Sequence, residues 1–476
     1  MASKTTLNAK NLETLGAARL AELLIEISTG SAVAKRRLRL ELAGAQSPKE
    51  AGREVTKRLI SIARARSFVN WKNRKPLVTD LESQLRAIKE QIAPADPAEG
   101  LALLWRFMQV ATPLFERCDD SSGIVIEVFH DACALLGEIA LSAGSPPEAL
   151  ADAAVEALRD NGYGQYDGLI AILTPALGAE GLAHLKQRIE ALAPVPVPPK
   201  GEWQAVGYGS GGATYAHQIE ERARQSLVRM ALKDIADAMG DADAFIAQYD
   251  PETRKVPKIA AEIAARLLVA GRAGDALGFI ERAEFRDRDW VPEEWQSVRL
   301  DVLEALGRGD EAQAFRLEYF QRSLAADHLR AYLKRLPDFD DVEAEDKAMA
   351  YALSYPAVLS ALRFLIHWPA LDRAAQLVEQ RFRELNGDRY EILTPAAAAL
   401  SARYPLAATL ALRAMIDFTL SAGKSSRYQH AARHLAECDD LASQIEAFGT
   451  FEPHATYVAR LRRDHARKSG FWGHFA

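Results

Sequence analysis

The stretch that decides the fold is YPLAATLALRAMIDF, residues 404–418. A proline near its start suits the first turn of an α-helix, where its missing amide hydrogen costs no hydrogen bond. The apolar residues that follow recur every three or four positions, as on one face of a helix. They are Ala407, Leu410, Ala411, Ala414 and Phe418. The stretch therefore predicts a helix with one apolar face.

The same spacing recurs in both halves of the chain. It predicts one apolar helix face from Leu20, Leu23, Leu24 and Ile27, and another from Trp295, Val298, Val302 and Ala305. Residue usage leans to alanine, leucine, arginine and glutamate, which are good helix formers. Runs rich in valine, isoleucine and threonine, typical of strands, are nearly absent. The sequence therefore predicts an all-α protein.

Length and composition narrow the class of protein. The chain has 476 residues, a length that predicts several folded domains or one elongated repeat array. Of these residues 49% are hydrophobic and 26% charged, which is usual for globular proteins. A net charge of -6 favours solubility and selects no partner. Cys118, Cys133 and Cys438 are too far apart for a disulfide framework or a zinc-binding pair. Residues 1–6 are polar and no apolar run has the length of a membrane span, so we expect a cytoplasmic protein.

Prolines and glycines cluster at 194–214, where the sequence PVPVPPKG is followed by GYGSGG. So many prolines forbid a helix and favour an extended path, and the glycines add flexibility. The pattern predicts a linker at 194–214 between an N-terminal helical domain (1–193) and a second helical array (215–476).

The second array contains a weak internal repeat. Gly271 and Gly307, each followed by arginine, lie 36 residues apart at the ends of leucine-rich helices. Pro369 and Pro405, each preceded by an aromatic residue, repeat at the same spacing and suit the first turn of a helix. The period is close to the roughly 34 residues of the tetratricopeptide (TPR) repeat. We therefore predict helical hairpins stacked as a TPR-like α-solenoid, two arrays being joined by the Pro/Gly-rich linker.

Cations are concentrated at 31–79, hereafter the basic segment, which has thirteen lysines and arginines against three glutamates. Three of these cations share one face of a predicted helix whose other face is apolar. Such clusters bind phosphate groups and other anions. The candidate residues for an anionic partner here are Arg53, Lys57, Arg64, Arg74 and Lys75.

Aromatic residues stand beside the last of these cations. Phe68 and Trp71 precede Arg74 and Lys75, and exposed rings can stack on nucleic-acid bases. Two alternatives compete with nucleic-acid binding. The segment could be a solvated helix face with Phe68 and Trp71 buried in the core. It could instead dock on an acidic surface of the same protein, because the remainder of the chain is acidic.

A cluster of carboxylates and one histidine surrounds DDSSG, residues 119–123. Asp119, Asp120 and His130 could hold a hard cation or act as acid and base. Their spacing lacks the order of a calcium-binding loop. Because aspartate and serine also cap helices and an apolar helix follows, capping is the favoured interpretation.

Two histidines share a predicted helix face near the C-terminus. His430 and His434 stand four residues apart, a spacing that can chelate one metal ion. Cys438 lies two turns from His430, too far to complete the site unaided. Ala431 stands where a metalloprotease helix carries its glutamate base. A pair of half-buried interface histidines is therefore the favoured interpretation.

The end of the chain is a basic helix followed by aromatic residues. Arg463, Arg467 and Lys468 could bind an anionic partner or a membrane surface. A narrow apolar face argues against membrane insertion. The alternative is a terminal helix that caps the array, with Phe471 and Trp472 folded back on it.

Several stretches resemble an uncharacterised bacterial family known only as a domain of unknown function. They are LRLELA (38–43), DDSSG (119–123), RYQHAARHL (427–435), EPHATY (452–457) and HARKSGFW (465–472). The C-terminal region is also similar to one that accompanies SWIM zinc fingers, although the cysteines and histidine of the finger are absent. The resemblance implies a helical scaffold without an established activity.

The expected function is a non-catalytic scaffold whose concave face holds a peptide or a partner domain. One alternative is a nucleic-acid-associated protein that uses the basic segment. A second is a metal-dependent hydrolase that uses Asp119, Asp120 and His130, or His430 and His434. No phosphate-binding loop and no nucleophile-elbow motif occurs in the sequence, so we expect no catalytic residue, cofactor or metal.

Overall fold

The computed structural model of the protein describes residues 6–192, 196–200, 203–209, 212–285 and 291–475. The polar start at 1–5 and residues 194, 195, 201, 202, 210 and 211 of the predicted linker lie outside the described residues. Helices account for most of what is described, which confirms the all-α prediction. Contacts group the chain into two compact units, unit 1 (Met1–Val298) and unit 2 (Arg299–Ala476). Within the described ranges, no helix combines the length and apolar character needed to span a bilayer.

Unit 1 is a set of packed helices with one small hairpin. Its α-helices are α1 (Ala9–Glu13), α2 (Gly16–Ser28), α3 (Ala32–Gln46), α4 (Pro48–Arg64), α5 (Arg74–Ala87), α6 (Pro97–Met108), α7 (Ala111–Phe115), α8 (Ile124–Ala143), α9 (Pro147–Arg159), α10 (Leu169–Glu190), α11 (Ala216–Met239), α12 (Ala242–Ala247), α13 (Pro257–Val269) and α14 (Ala273–Glu281). A π-helical turn, Ile88–Ile92, continues α5, and a 3-10 turn occupies Thr253–Lys255. The strands are β1 (Ala205–Gly209) and β2 (Gly212–Tyr215).

The boundary between the units falls within α15 (Glu293–Ala305). The α-helices of unit 2 beyond it are α16 (Gly309–Ser323), α17 (Ala326–Leu333), α18 (Asp340–Ser354), α19 (Val358–His367), α20 (Leu371–Arg381), α21 (Tyr390–Leu400), α22 (Pro405–Ser421), α23 (Tyr428–Ala442), α24 (His454–Asp464) and α25 (Ser469–Phe475). Two 3-10 turns, Phe382–Glu384 and Ser425–Arg427, follow α20 and precede α23.

Helix starts follow local chemistry. The side chains of Ser31, Ser47 and Asp96 each accept a hydrogen bond from the amide three residues on, which satisfies one of the free amides of the first turn. Prolines stand in the first turn of α4, α6, α9, α13 and α22, where they interrupt no hydrogen bond. These signals are readable from the sequence, so helix starts were among its more predictable features.

The core of unit 1 runs from α3 to α11. The rings of Phe107 and Phe129 lie 5.4 Å apart at its centre, and Phe115 lies 5.5 Å from Phe129. On α4, Val55, Leu59 and Ile62 are buried in this core, as their spacing predicts. The opposite face of α4 is therefore free to carry its cations into solvent.

The proline- and glycine-rich stretch contains a β-hairpin. β1 and β2 pair antiparallel, with Tyr208 opposite Ala213. Helices α10 and α11, which flank the stretch, pack against each other, and Arg224 of α11 donates to the carbonyl of Leu192 at 2.8 Å. The contacts divide the chain after Val298, whereas the predicted boundary lies at 194–214. Whether 194–214 also separates two domains stays a prediction.

The stretch at 404–418 forms α22, the most deeply buried helix of unit 2. Its apolar residues are buried, but so are Thr409, Arg413 and Thr419 on its other sides. Phe418, predicted to lie on the apolar face, is only half-buried. The prediction of a helix is confirmed and that of a single apolar face is wrong, because neighbouring helices cover α22 on several sides.

The predicted apolar face of α2 also differs from the structure. Leu20 and Leu23 are half-buried, whereas Leu24 and Ile27 are 49% and 72% exposed. Only Ser28 of this helix is buried. The amphipathic pattern correctly indicated a helix and did not indicate which side is covered.

The two Gly-Arg positions of the predicted repeat have the same local geometry. Gly271 and Gly307 adopt left-handed φ values of 74° and 69°, which glycine tolerates without strain. The amides of Arg272 and Arg308 then bond to carbonyls five residues back, closing each helix end. The proline pair does not behave alike: Pro405 opens α22, whereas Pro369 precedes α20, which begins at Leu371. The prediction that Pro369 lies in a first turn is therefore wrong.

Candidate functional site

Three consecutive helices of unit 2 enclose an open groove of about 470 Å³. Its floor is α22, which contributes the buried side chains of Met415 and Thr419. One wall is α21 and the other is α23 with the turn before it; each of these packs against α22. The groove is thus an apolar floor between two walls of different chemistry, and its volume lies in the usual range for ligand sites.

The α21 wall carries the exposed aromatic ring of Tyr390 and a proline, Pro395, in the interior of the helix. The Tyr390 ring is 55% exposed, and the guanidinium of Arg427 lies 5.0 Å from its centre. Asp388 holds Arg427 with a 2.7 Å hydrogen bond, so the cation has a defined position over the ring. Pro395 lacks an amide hydrogen, which leaves the carbonyl of Glu391 without its intrahelical donor. This wall therefore offers a flat surface and an available backbone acceptor.

The α23 wall carries both predicted histidines, in different environments. His430 is exposed at the rim, and Arg433 donates to its Nδ1 at 3.4 Å. His434 is buried in the same wall, and its burial lowers the pKa of the ring below the usual value, against the opposing effect of Glu437 at 3.5 Å. At neutral pH, His434 is therefore uncharged, while Arg433 and Arg427 make this wall cationic.

The histidine pair is not part of a metal-binding cluster among the described residues. Cys438 is buried, with its sulfur 3.9 Å from the carbonyl of Thr409. Across the part of the chain that the structure describes, no three His, Cys, Asp or Glu side chains group as a metal site. The donors available to His430 and His434 therefore do not fit the coordination that a structural or catalytic zinc ion requires.

The basic segment forms a second concave site in unit 1, hereafter the basic pocket, of about 410 Å³. It lies between α3, α4 and α5. The cations that line it are Lys35, Arg36, Arg39, Lys57 and Arg58. Sequence reasoning selected only Lys57 of these, because membership of the pocket depends on how α3 packs against α4. Their occurrence on two adjacent helices of a basic stretch was the available signal.

A buried carboxylate organises the floor of the basic pocket. Asp80 of α5 is 4% exposed and accepts hydrogen bonds from Arg58 Nε at 2.8 Å and Gln84 Nε2 at 3.2 Å. Arg36 Nη2 lies 3.3 Å from the same carboxylate. Gln84 is also buried. Two guanidinium groups are therefore fixed at the pocket by one acid that is itself withdrawn from solvent.

The other predicted cations of the segment lie outside this pocket. Along the exposed face of α4, Arg53 pairs with Glu50 at 2.5 Å and Lys57 pairs with Glu54 at 2.6 Å. Of these two cations, Lys57 also lines the pocket. Arg64 and Lys75 are exposed. Exposed pairs of this kind contribute about 0–1 kcal/mol each to stability.

Arg74 and the aromatic residues of the segment take separate positions. Arg74 donates to Ser122 at 2.9 Å. Phe68 and Trp71 are 64% and 63% exposed, and Lys72 Nζ lies 5.2 Å from the Trp71 ring centre. The interpretation that both rings are buried in the core is therefore wrong.

The carboxylate cluster at 119–123 serves helix α8. Asp120 accepts hydrogen bonds from the amides of Val125 and Ile126 at 3.1 Å and 2.9 Å, which is a capping arrangement. Asp119 accepts from the Ser121 amide, and this bond lowers the pKa of its carboxyl. His130 Nε2 lies 3.1 Å from the carbonyl of Gly164. The geometry agrees with the capping interpretation.

The C-terminal cations have unequal roles. Lys468 Nζ donates to the carbonyl of Leu420 at the end of α22, where a cation complements the helix dipole. Arg463 is paired with Asp464 at 2.8 Å, and Arg467 is exposed. Phe471 is buried, so this aromatic end folds back on the unit, as one interpretation of the sequence predicts.

Sequence reasoning missed one unusual residue, Arg413, in the middle of α22. It is 2% exposed, and burial lowers the pKa of its guanidinium. Its Nη1 donates to the Glu452 carbonyl at 2.6 Å, and the guanidinium carbon lies 4.3 Å from the centre of the Tyr457 ring. A lone arginine inside an apolar helical stretch was the signal for it.

The sequence matches the family described as a family of unknown function, DUF6880, over residues 2–474. The chain therefore belongs to this family, which agrees with the resemblance to an uncharacterised domain family. No curated protein matches it.

Proposed function

We propose that this member of the family is a non-catalytic scaffold that holds a short peptide segment of a partner protein in the groove of unit 2. The observation that carries the proposal is the groove itself: an apolar floor on α22 between an aromatic wall on α21 and a cationic wall on α23. Such grooves between helices are a recurring way for proteins to bind peptides.

The floor favours an apolar side chain of the partner. Met415 and Thr419 stand one helical turn apart, about 6 Å along α22. Methionine adapts its shape to different apolar groups, so the floor accepts more than one residue type. A peptide that places one Leu, Met or Phe side chain there would bury it against Met415 and the Tyr390 ring.

The walls favour an acidic residue next to that apolar one. Arg433 is 62% exposed, and its pairing with Glu437 at 3.7 Å is loose enough to be exchanged for a partner carboxylate. Arg427 is already held by Asp388 and mainly orients the Tyr390 surface. The expected partner segment is thus short, with an acidic and an apolar side chain on the same side.

The proposal includes the finer prediction of TPR-like helical hairpins in 215–476. It is supported by the glycine turns: Gly240, Gly271, Gly307 and Gly423 each close a helix with a left-handed conformation. In all four the following amide bonds to the carbonyl five residues back. A recurring closing turn is what a repeated hairpin requires. The similarity of the C-terminal region to that accompanying SWIM zinc fingers, and a bacterial origin, remain hypotheses.

We also retain the cytoplasmic location as part of the proposal. It is supported by the three cysteines, which are free thiols, two of them buried. Free buried thiols are ordinary in a reducing compartment.

The test begins with a photo-crosslinking amino acid at Thr394, which is exposed on the α21 wall. In the matched control, the same photo-crosslinking amino acid replaces Arg467, which is exposed outside the groove. Mass spectrometry identifies the crosslinked segment, which is then synthesised as a labelled peptide. We expect an acidic and apolar peptide that crosslinks from position 394 and not from 467.

Binding of that peptide is then measured by fluorescence anisotropy. Arg433→Glu should weaken it at least about tenfold, since a favourable pair becomes a repulsive one. Arg467→Glu changes the same charge outside the groove and should alter affinity less than twofold. Equal effects of both substitutions, or equal crosslinking from both positions, would show that the groove is not the binding site.

A further inference from the structure

A second binding site lies in unit 1, in the basic pocket, and it is independent of the groove. We propose that this pocket binds a compact polyphosphate, either free or as the phosphate chain of a nucleotide. The proposal rests on three features of the pocket: its charge, the fixed position of its two floor arginines and its concave shape.

The charge of the basic pocket calls for a multiply charged anion. Five cations line it, and the carboxylates near them are Glu54 on the lining and Asp80 beneath. With Glu54 and Asp80 subtracted, the pocket carries a net charge of +3. A single carboxylate would leave most of this charge uncompensated, whereas a di- or triphosphate carries three or four negative charges in a small volume. Charge balance therefore favours polyphosphate over one acidic side chain.

The two arginines at the floor are held ready for such a ligand. Asp80 bonds Arg58 through Nε and Nη2, at 2.8 Å and 2.5 Å, and thereby fixes the plane of that guanidinium. Arg36 is held on the same oxygen at 3.3 Å. A guanidinium group offers five N–H donors, so each arginine keeps donors beyond those that face Asp80. Fixed arginines lose little entropy on binding and suit the geometry of phosphate oxygens.

The cations at the rim complete the recognition. Lys35 and Arg39 are exposed on α3, one turn apart, and Lys57 faces them from α4. Lysine binds phosphate as a mobile point charge, so it can follow a chain of two or three phosphates that the arginines orient. Leu40 and Ala32 also line the pocket and provide apolar contact for a group attached to the phosphates.

The concave shape separates this proposal from binding of duplex DNA. A duplex is a convex rod whose phosphates are best met by cations spread along an open face. Arg53 and Arg64 lie on such an open face of α4, outside the pocket lining. The pocket and the open face can therefore be mutated separately, because they share only Lys57.

The experiment uses isothermal titration calorimetry on the full-length protein with tripolyphosphate, ATP and citrate as probes. Citrate carries a negative charge similar to that of the phosphate probes, but on carboxylate groups. It therefore serves as the matched anion. Two double variants are compared: Lys35→Glu with Arg39→Glu in the pocket, and Arg53→Glu with Arg64→Glu on the open face. All four side chains are exposed, and circular dichroism verifies that both variants keep the native helix content.

We expect tripolyphosphate and ATP to bind, and citrate to bind at least about tenfold more weakly. The pocket variant should lose at least about tenfold in affinity for both phosphates, and the open-face variant less than about twofold. ATP binding tighter than tripolyphosphate would identify a nucleotide as the source of the phosphates, and equal affinity would identify the phosphate chain alone.

Three results would overturn the proposal. These are absence of binding by either phosphate at millimolar concentration, equal affinity for citrate, and equal losses in the two double variants. Tight binding of duplex DNA that is lost in the open-face variant, with no phosphate binding by the pocket, would instead support the nucleic-acid function. None of these results bears on peptide binding in unit 2, because no residue is shared with the groove.

Discussion

Replacing Gly387 with alanine should destabilise unit 2, because the added methyl group has no room. Gly387 is buried in the turn before α21 and lines the groove. A Cβ atom there would lie 2.6 Å from the carbonyl carbon of Ala414, 2.7 Å from Cβ of Phe418, and against the Ala414 carbonyl oxygen. Carbon atoms in contact need about 3.5 Å, so the two carbon contacts alone require the turn and α22 to separate by roughly 0.8–0.9 Å, and the closer carbonyl oxygen requires more.

The obstructing atoms determine how large the loss is. They belong to the backbone and Cβ positions of a buried helix, so no side chain can rotate away. Overpacking costs about 1–3 kcal/mol, and we expect about 2–3 kcal/mol here, since the obstacle is rigid. For a unit of this size the melting temperature should fall by roughly 4–12 °C. The backbone at Gly387 is not left-handed, so strain in φ adds nothing.

The assay is urea and thermal unfolding followed by circular dichroism, with Gly278→Ala as the matched substitution. Gly278 lies inside α14, and a Cβ atom there meets only the end of the Arg282 side chain at 3.7 Å. Alanine should therefore stabilise this helix by about 0.5–1 kcal/mol. The same chemical change thus has opposite expected signs at the two sites. A Gly387→Ala variant within about 0.5 kcal/mol of the native protein would refute the packing argument.

Three further outcomes are expected, two from the structure and one from the sequence. Asp80→Asn leaves Arg58 and Arg36 without their shared acid. We expect urea unfolding to show a loss of about 2 kcal/mol in stability, which is below the 3–5 kcal/mol of a fully buried pair because both arginines reach solvent. An unchanged urea midpoint would contradict the role assigned to Asp80. His434 has a lowered pKa in the folded state, so below about pH 6.5 the unfolded chain binds more protons than the folded one. The stability of unit 2 should therefore fall from pH 7.5 to 5.5. Calorimetry should show a flatter dependence of stability on pH for His434→Asn, and the same dependence in both proteins would contradict this prediction. Limited proteolysis should cut first within 194–214 and leave two folded pieces, whereas first cuts within 261–336 would refute the predicted division.

The helices were predictable because their signals are local. Proline at the first turn, capping side chains and apolar spacing all act within a few residues, and α4 obeys each of them. The spacing of apolar residues could not predict how many sides of a helix are covered by neighbouring helices. The 404–418 stretch is enclosed on several sides and the α2 stretch hardly at all, although both show the same periodicity.

The β-hairpin at 205–215 was not predicted, because glycine is a poor strand former and the stretch reads as a flexible linker. The available signal was the β-forming residues Val206, Tyr208 and Tyr215 on both sides of a glycine-rich sequence.

The candidate sites depend on contacts between distant parts of the chain. The basic segment was recognised from its charge, but the pocket requires that α5 place Asp80 beneath two arginines from α3 and α4. The groove similarly brings Tyr390 near Arg427. No local pattern encodes these approaches, so the sequence indicated the participating segments and not their geometry.

Arg413 has a practical consequence for dividing the protein. Its buried charge is stabilised by the Glu452 carbonyl and the Tyr457 ring, which lie just before and at the start of the basic C-terminal segment. A fragment that stops before Glu452 would retain a guanidinium in apolar surroundings without this acceptor, at a cost of several kcal/mol. The shortest fragment of unit 2 able to fold must therefore continue at least through Tyr457, so C-terminal deletions that reach this residue would report lost folding and not a lost binding site.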